Sequence, residues 1–132
     1  MQQAQYTITS KGVKNMKIIA KSRENLSMKE VYDLTRSPEV QKMRTSVGDC
    51  IAVGDWLLYE DTSKTTGENV KLLAVKDRDT SVCYATNSST FIEEFTSLLD
   101  MCAEMQTQLN TVKVVEGVSK AGRNFITAVY ID

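Results

Sequence analysis

The chain contains no histidine. That removes the commonest general base and the commonest transition-metal ligand, and with them any Ser–His–Asp or Cys–His site within one chain. Cysteine is scarce: Cys50, Cys83 and Cys102 are three in number and widely spaced, matching neither a disulfide framework nor a zinc-ligand pattern. All three fall in segments expected to be strand or helix, so they read as small buried hydrophobes in a reducing compartment. No apolar run approaches the roughly 20 residues that span a bilayer, so no membrane partner is expected. The N-terminus lacks a secretory hydrophobic region, so export is not expected. Carboxylate chemistry would have to draw on Asp55 with Glu60, or on Glu93 and Glu94, and no cleft or metal-ligand spacing stands behind either pair. The chain is therefore expected not to be an enzyme and to need no cofactor or metal.

What is present is enough for one domain with a real core: 132 residues, 42% of them hydrophobic. The formal net charge of -1 hides an asymmetry. Residues 1–23 carry Lys11, Lys14, Lys17, Lys21 and Arg23 and no acid, which leaves the rest at a net -6. A basic arm on an acidic body suits an anionic polymer, and equally suits a solvated tail. Residues 1–25 are expected to be a basic N-terminal arm, partly flexible. Residues 26–132 are expected to be one domain, with a helical pair over 26–47 and a barrel over 48–132.

The order of elements carries most of the fold. Three β-like runs, 50–60, 70–77 and 81–87, precede an amphipathic helix over 89–105, and two more runs, 111–119 and 123–131, follow it. A mainly β chain with helices (α+β), folded as a five-stranded OB-like barrel with its helix between strands 3 and 4, fits this order. Residues 16–20 form a short apolar patch that can add a strand. Ser27 and Glu30 make a capping box for a helix that must stop before Ser37 and Pro38. Pro38 suits the first position of a second short helix burying Val40, Met43 and Val47 and ended by Gly48. Gly54, inside the first barrel strand, points to a bulge. Thr90 and Glu93 are a further capping-box candidate, and Phe91, Phe95, Leu98, Cys102 and Met105 form one apolar stripe. The last two strands read as a hairpin with Lys120, Ala121 and Gly122 at its tip, Gly122 supplying a positive φ.

Binding a single strand without sequence preference needs aromatic faces for bases and cations for phosphates. Trp56, Tyr59 and Tyr84 are the aromatic candidates, with Phe125 and Tyr130 on the last strand. Phe125 alternates with Val129 and Ile131, which favours core, while Tyr130 alternates with Asn124, Ile126 and Ala128. Trp56 and Tyr59 stand open between core and stacking, because a bulge would scramble the alternation. The cations Lys71, Lys76 and Arg78 on and after the second strand, Lys113 on the fourth, and Lys120 and Arg123 at the hairpin fall on the footprint where OB-folds take oligonucleotides. Asp77 and Asp79 dilute it. A helix–turn–helix use of the segment around Pro38 would offer a groove only Gln41, Lys42 and Arg44.

The stretch Ser119, Lys120, Ala121, Gly122, Arg123, Asn124, Phe125, Ile126, Thr127, together with Tyr84, Ala85, Thr86, Asn87 before the Phe91 helix, resembles the small single-stranded DNA-binding proteins of tailed bacteriophages, including those with protein-primed replication. The resemblance spans residues 47–131. It implies a non-enzymatic protein that coats displaced single-stranded DNA during phage DNA replication in the cytoplasm of an infected bacterial host. It implies phosphate contacts from Lys120 and Arg123. Self-association along the strand and contact with phage replication proteins are further partners it allows. The sequence closes on Val129, Tyr130, Ile131 and Asp132 rather than on the acidic tail of bacterial-type relatives, so recruitment through the C-terminus is not expected. The competing expectation is a small phage protein-binding module that inhibits or recruits a host enzyme, which an acidic body favours.

Overall fold

A computed structural model describes residues 16–63 and 65–132. In chain order its elements are β1 (Lys17–Lys21), α1 (Met28–Thr35), β2 (Gln41–Lys42), a 3-10 turn (Met43–Ser46), β3 (Cys50–Thr62), β4 (Asn69–Asp77), β5 (Cys83–Thr86), α2 (Ser89–Glu104), β6 (Thr111–Val118) and β7 (Asn124–Tyr130). The architecture is mixed α+β, mostly strand, with one strongly curled sheet forming a half-barrel that is consistent with an OB-like fold.

β3 is the spine of this sheet. Its first residues, Cys50 to Ala52, pair with β6; the remainder pairs with β4 on one edge, while Leu57 to Glu60 pair with β1 on the other. One strand serving two halves forces the sheet to curl, and the register shift between Val53 and Trp56 marks the bend. Gly54 sits in that bulge because a Cβ there would come within 2.8 Å of the Lys76 carbonyl oxygen. The order across the sheet is β2-β5-β4-β3-β6-β7, with β2 running parallel to β5.

The bulge also explains the mixed alternation of β3. Ile51 and Val53 face the barrel interior before it, and Trp56 and Leu58 after it. α2 plugs the interior with Phe91, Phe95, Leu98 and Cys102, all buried against Leu73, Val75, Val112, Val114 and Ile126. The Phe91 and Phe95 rings, one turn apart, stack at 6.2 Å between centroids. Ser88 caps α2, accepting from the Phe91 N–H at 3.3 Å and donating to the Ile126 carbonyl of β7 at 3.0 Å. That second bond ties the helix to the open flank of the barrel. A second apolar layer lies outside β3–β4–β5, where Leu34 of α1 covers Leu57, Tyr59, Ala74 and Cys83.

Several sequence expectations hold. The Ser27–Glu30 capping box is complete, α1 stops ahead of Ser37, residues 17–21 add a strand, and Gly122 turns the last hairpin at φ 81. Others are corrected. Among the described residues the sheet has seven strands rather than five, so α2 lies between the fifth and sixth of them. The second short helix does not start at Pro38; it is reduced to the 3-10 turn Met43–Ser46, which buries Met43 but leaves Val47 exposed. After Pro38 the Val40 N–H donates to the Ser37 carbonyl in a tight turn, and Gln41 and Lys42 pair with β5, which satisfies their backbone without a helix. Ser88, not Thr90, caps α2, and Met105 lies beyond the buried stripe at 76% exposure. Cys83 and Cys102 are buried, but Cys50 is exposed because Ile51 takes the inward position beside it.

Candidate nucleic-acid interface

The β6–β7 hairpin carries the clearest cationic site. Its tip is held by the Ser119 N–H donating to the Arg123 carbonyl at 2.8 Å, by the Gly122 N–H donating to the Ser119 carbonyl, and by the Arg123 N–H donating to the Ser119 hydroxyl at 3.1 Å. This fixes the backbone while leaving the Lys120 and Arg123 side chains exposed, with no ion pair among the described residues. Val112, Val114, Ile126 and Ala128 point inward, so Lys113, Val115, Gly117, Phe125, Thr127 and Val129 form the outer face. No carboxylate lies in that row. Phe125 pairs with Gly117, and a Cβ on Gly117 would lie 2.6 Å from the ring, so the phenyl rests on the glycine backbone. This corrects the expected alternation of the last strand: Ile126 and Ala128 are core, and Phe125 is outward and half-buried.

The other aromatic candidates are placed differently. Trp56 is half-buried inside the barrel mouth, with Phe95 edge-on at 6.2 Å. Tyr59 is 3% exposed beneath α1, which decides its open alternatives for core and removes its ring as a stacking platform. Burial, reinforced by Asp61 and opposed by Arg36, pushes its hydroxyl up to about 12. Tyr84 is half-buried against the barrel core, and burial together with Asp77 and Asp49 raises its hydroxyl, so its surroundings are acidic rather than cationic.

Nor do the remaining cations gather in one place. Lys71 is exposed in a shallow depression beside the start of α2. Lys76 borders a groove of ≈ 740 Å³ with Lys29, Asp33 and Glu39 around it. Arg78 is committed to structure, its guanidinium donating to the Val53 carbonyl at 3.0 Å and the Asn110 carbonyl at 3.3 Å. Those two bonds, both from Nη1, hold the bulge of β3 to the α2–β6 connection, while the side chain stays 48% exposed. Asp77, expected to dilute the cationic footprint, is also structural. Burial raises its pKa, but backbone N–H donors from Thr80, Ala52 and Asp79 outweigh this and hold it low.

The basic N-terminal segment divides as well. Lys11 and Lys14 lie outside the described residues. Arg23 is consumed internally: Nε and Nη2 donate to both oxygens of Asp55 at 3.0 Å, and Nη2 donates to Glu30 Oε2 at 2.6 Å. The guanidinium holds the Asp55 carboxyl below its usual range, and helps to hold that of Glu30 low behind the Ser27 N–H. It thereby locks the α1 capping box to the β3 bulge.

Two cations escaped the sequence-based selection as site residues. Lys42 and Arg44 are exposed, make no ion pair among the described residues, and stand beside Leu72, Ala85 and Asn87. Their only sequence signal is a place on a helix that is reduced to one 3-10 turn; the pairing of β2 with β5 is what brings them to the sheet. Against these cations stands α2, whose exposed Glu93, Glu94, Asp100 and Glu104 have no basic residue on the same helix. Among the described residues no group of three or more acidic or cysteine side chains has metal-binding geometry, and no helix is long and apolar enough to cross a membrane.

Comparison with known proteins gives one match. A family model described as phage single-stranded DNA-binding protein, of the Phi29 type, matches residues 10–130. No curated protein and no solved structure matches the chain.

Proposed function

The chain belongs to the Phi29-type phage single-stranded DNA-binding protein family, and from that premise we propose that it coats and protects single-stranded DNA during phage replication, in the cytoplasm of the infected bacterial host, without catalysis and with little sequence preference. The observation that carries the reading is the outer face of the β6–β7 hairpin. Phe125 offers a ring, Lys113 shares its face, Lys120 and Arg123 stand at the tip, and no carboxylate interrupts the row. A ring stacks on any base, and cations follow the phosphates of any sequence, which together give tolerant binding with strong salt dependence. Lys71, Lys76 and, ahead of β1, Lys11 and Lys14 add phosphate contacts at the margins, and the residues ahead of β1 link neighbouring copies along the strand. The acidic, methionine-bearing side of α2, with Met101 and Met105 exposed, suits contact with phage replication proteins. It is also the feature that favours the second reading, a module that binds a host enzyme.

Fluorescence anisotropy of labelled oligo-dT, titrated at low and moderate salt, separates the two. Saturable binding that weakens steeply with salt is expected. The Lys120→Ala/Arg123→Ala double variant should weaken binding for every sequence and reduce the salt slope by about 1.4, at about 0.7 per lost phosphate contact. A flat titration of the wild-type protein at low salt would leave the protein-binding module as the better reading. An unchanged double variant would remove the hairpin from the interface.

A further inference from the structure

α1 covers only part of the outer face of β3–β4–β5. Past its C-terminal end two depressions, of ≈ 390 and ≈ 400 Å³, share Leu72, Ala85 and Asn87 and so make one trough. Register explains the floor. Tyr59 of β3 is opposite Leu72 of β4, and Ala85 of β5 is opposite both Ala74 of β4 and Lys42 of β2. One end is walled by Arg36 and Asp61, ion-paired at 3.0 Å, and the other by Lys42 and Arg44.

Tyr59 is the unusual element. The residue is 97% buried, since only 3% of it is exposed, yet it lines the trough, and its hydroxyl has no hydrogen-bond partner among the described residues. A buried hydroxyl without a partner is costly, and native structures nearly always provide one. Here a ligand in the trough would be that partner. The surroundings define its chemistry: an aliphatic floor for a flat ring, a phenol and the exposed Asn87 amide for a polar edge, and two unpaired cations for a phosphate.

We propose that this trough is a nucleotide subsite of the DNA-binding surface, in which a base lies on Leu72 and Ala85 with its polar edge bonded to the Tyr59 hydroxyl, and the adjoining phosphate is held by Lys42 and Arg44. The assignment rests on the single-stranded DNA-binding reading above. It gives Tyr59 a hydrogen-bonding role where stacking is impossible, and it adds a second point of attachment distinct from the hairpin.

The test uses the full chain, oligo-dT, and an abasic oligonucleotide of equal length, with the urea midpoint of each variant checking that it folds. Lys42→Ala/Arg44→Ala should weaken binding of both oligonucleotides and lower the salt slope by about 1.4. Tyr59→Phe, which keeps the buried ring, should weaken oligo-dT binding by about 2- to 12-fold, the worth of one net hydrogen bond, and leave abasic binding unchanged. If the wild-type protein binds and both variants match it, the trough is not a subsite, while the family-level reading stands. If the cation pair matters but Tyr59→Phe binds both oligonucleotides like the wild type, the base site is refuted. If the wild-type protein binds neither oligonucleotide, the single-strand reading itself fails.

Discussion

The curled sheet has two outer faces, and they meet different fates. Over β3, β4 and β5 the outward side chains Leu57, Tyr59, Ala74 and Cys83 are buried, because Leu34 of α1 closes over them. Over β6 and β7 the outward row of Lys113, Val115, Gly117, Phe125, Thr127 and Val129 has no cover among the described residues, and none of its members is buried by them. The backbone pattern is the same on both sides. The difference lies in charge: the covered row of Leu57, Tyr59, Ala74 and Cys83 carries none, while the other row carries Lys113. On that face Phe125 lies opposite Gly117 and Lys113 opposite Val129, two register pairs further along, so the ring and the cation stand apart on one row. In this molecule α1 takes much of the face that OB-folds usually give to nucleic acid, and the proposed function places binding on the hairpin and on the strip that α1 leaves clear.

The largest effect that separates the faces is on stability. Leu34→Ala should destabilise the protein by about 2–5 kcal/mol, since it deletes a side chain that is wholly enclosed between α1 and the sheet. Val115→Ala, on the bare face, should cost about 1 kcal/mol or less. Urea unfolding with a common slope measures both. Equal losses would mean that the β6–β7 face is packed against something after all.

On affinity the order reverses. Phe125→Ala should weaken oligo-dT binding by about 1–3 kcal/mol, the worth of one stacked base, with little change in salt slope because no charge is lost. That separates it from the hairpin-tip cations, whose loss flattens the slope. Wild-type affinity in Phe125→Ala would assign the ring the sole task of shielding Gly117. Leu34→Ala, once corrected for the folded fraction, should bind normally through the hairpin.

Legibility in the sequence followed the range of the interaction. The capping box at Ser27 and Glu30, the hairpin turn at Gly122 and the plug stripe of α2 from Phe91 to Cys102 are local patterns, and each is realised, with Met105 alone falling off the stripe. Gly54 announced its bulge, yet which alternation faced inward after it depended on pairing with β4, which no local pattern carries. The segment after Pro38 had helical periodicity over Val40, Met43 and Val47, but β5 offered a free edge and the chain took it, carrying Lys42 and Arg44 to a place the sequence did not indicate. Phe125 was misjudged for a related reason. Its neighbours Val129 and Ile131 are apolar, and only the position of α2 over Ile126 and Ala128 reveals that the opposite face is core. Arg23 and Arg78 look like free cations in the sequence because Asp55 lies 32 residues from Arg23, and the Val53 carbonyl 25 residues from Arg78.

The smallest contrast concerns pH, and it belongs to the covered face alone, since the bare row has no tyrosine. Tyr59 is neutral in the fold, and burial lifts its pKa from 10.0 to about 12. Below about pH 10 both the folded and the unfolded chain keep the proton, and Tyr59 adds no pH dependence. Between about pH 10 and 12 the unfolded chain ionises first and binds fewer protons, so stability falls as pH rises through that window. Tyr59→Phe cannot ionise and should lose this portion of the slope while keeping the rest, including that from Tyr84 and Cys83. Urea midpoints of the two proteins, compared at neutral pH and again in the alkaline window, measure the difference, and phenolate absorbance locates the ionisation. Two curves that stay parallel would mean that the hydroxyl already reaches solvent through the trough, and the covered face would then be closed over its aliphatic rows only.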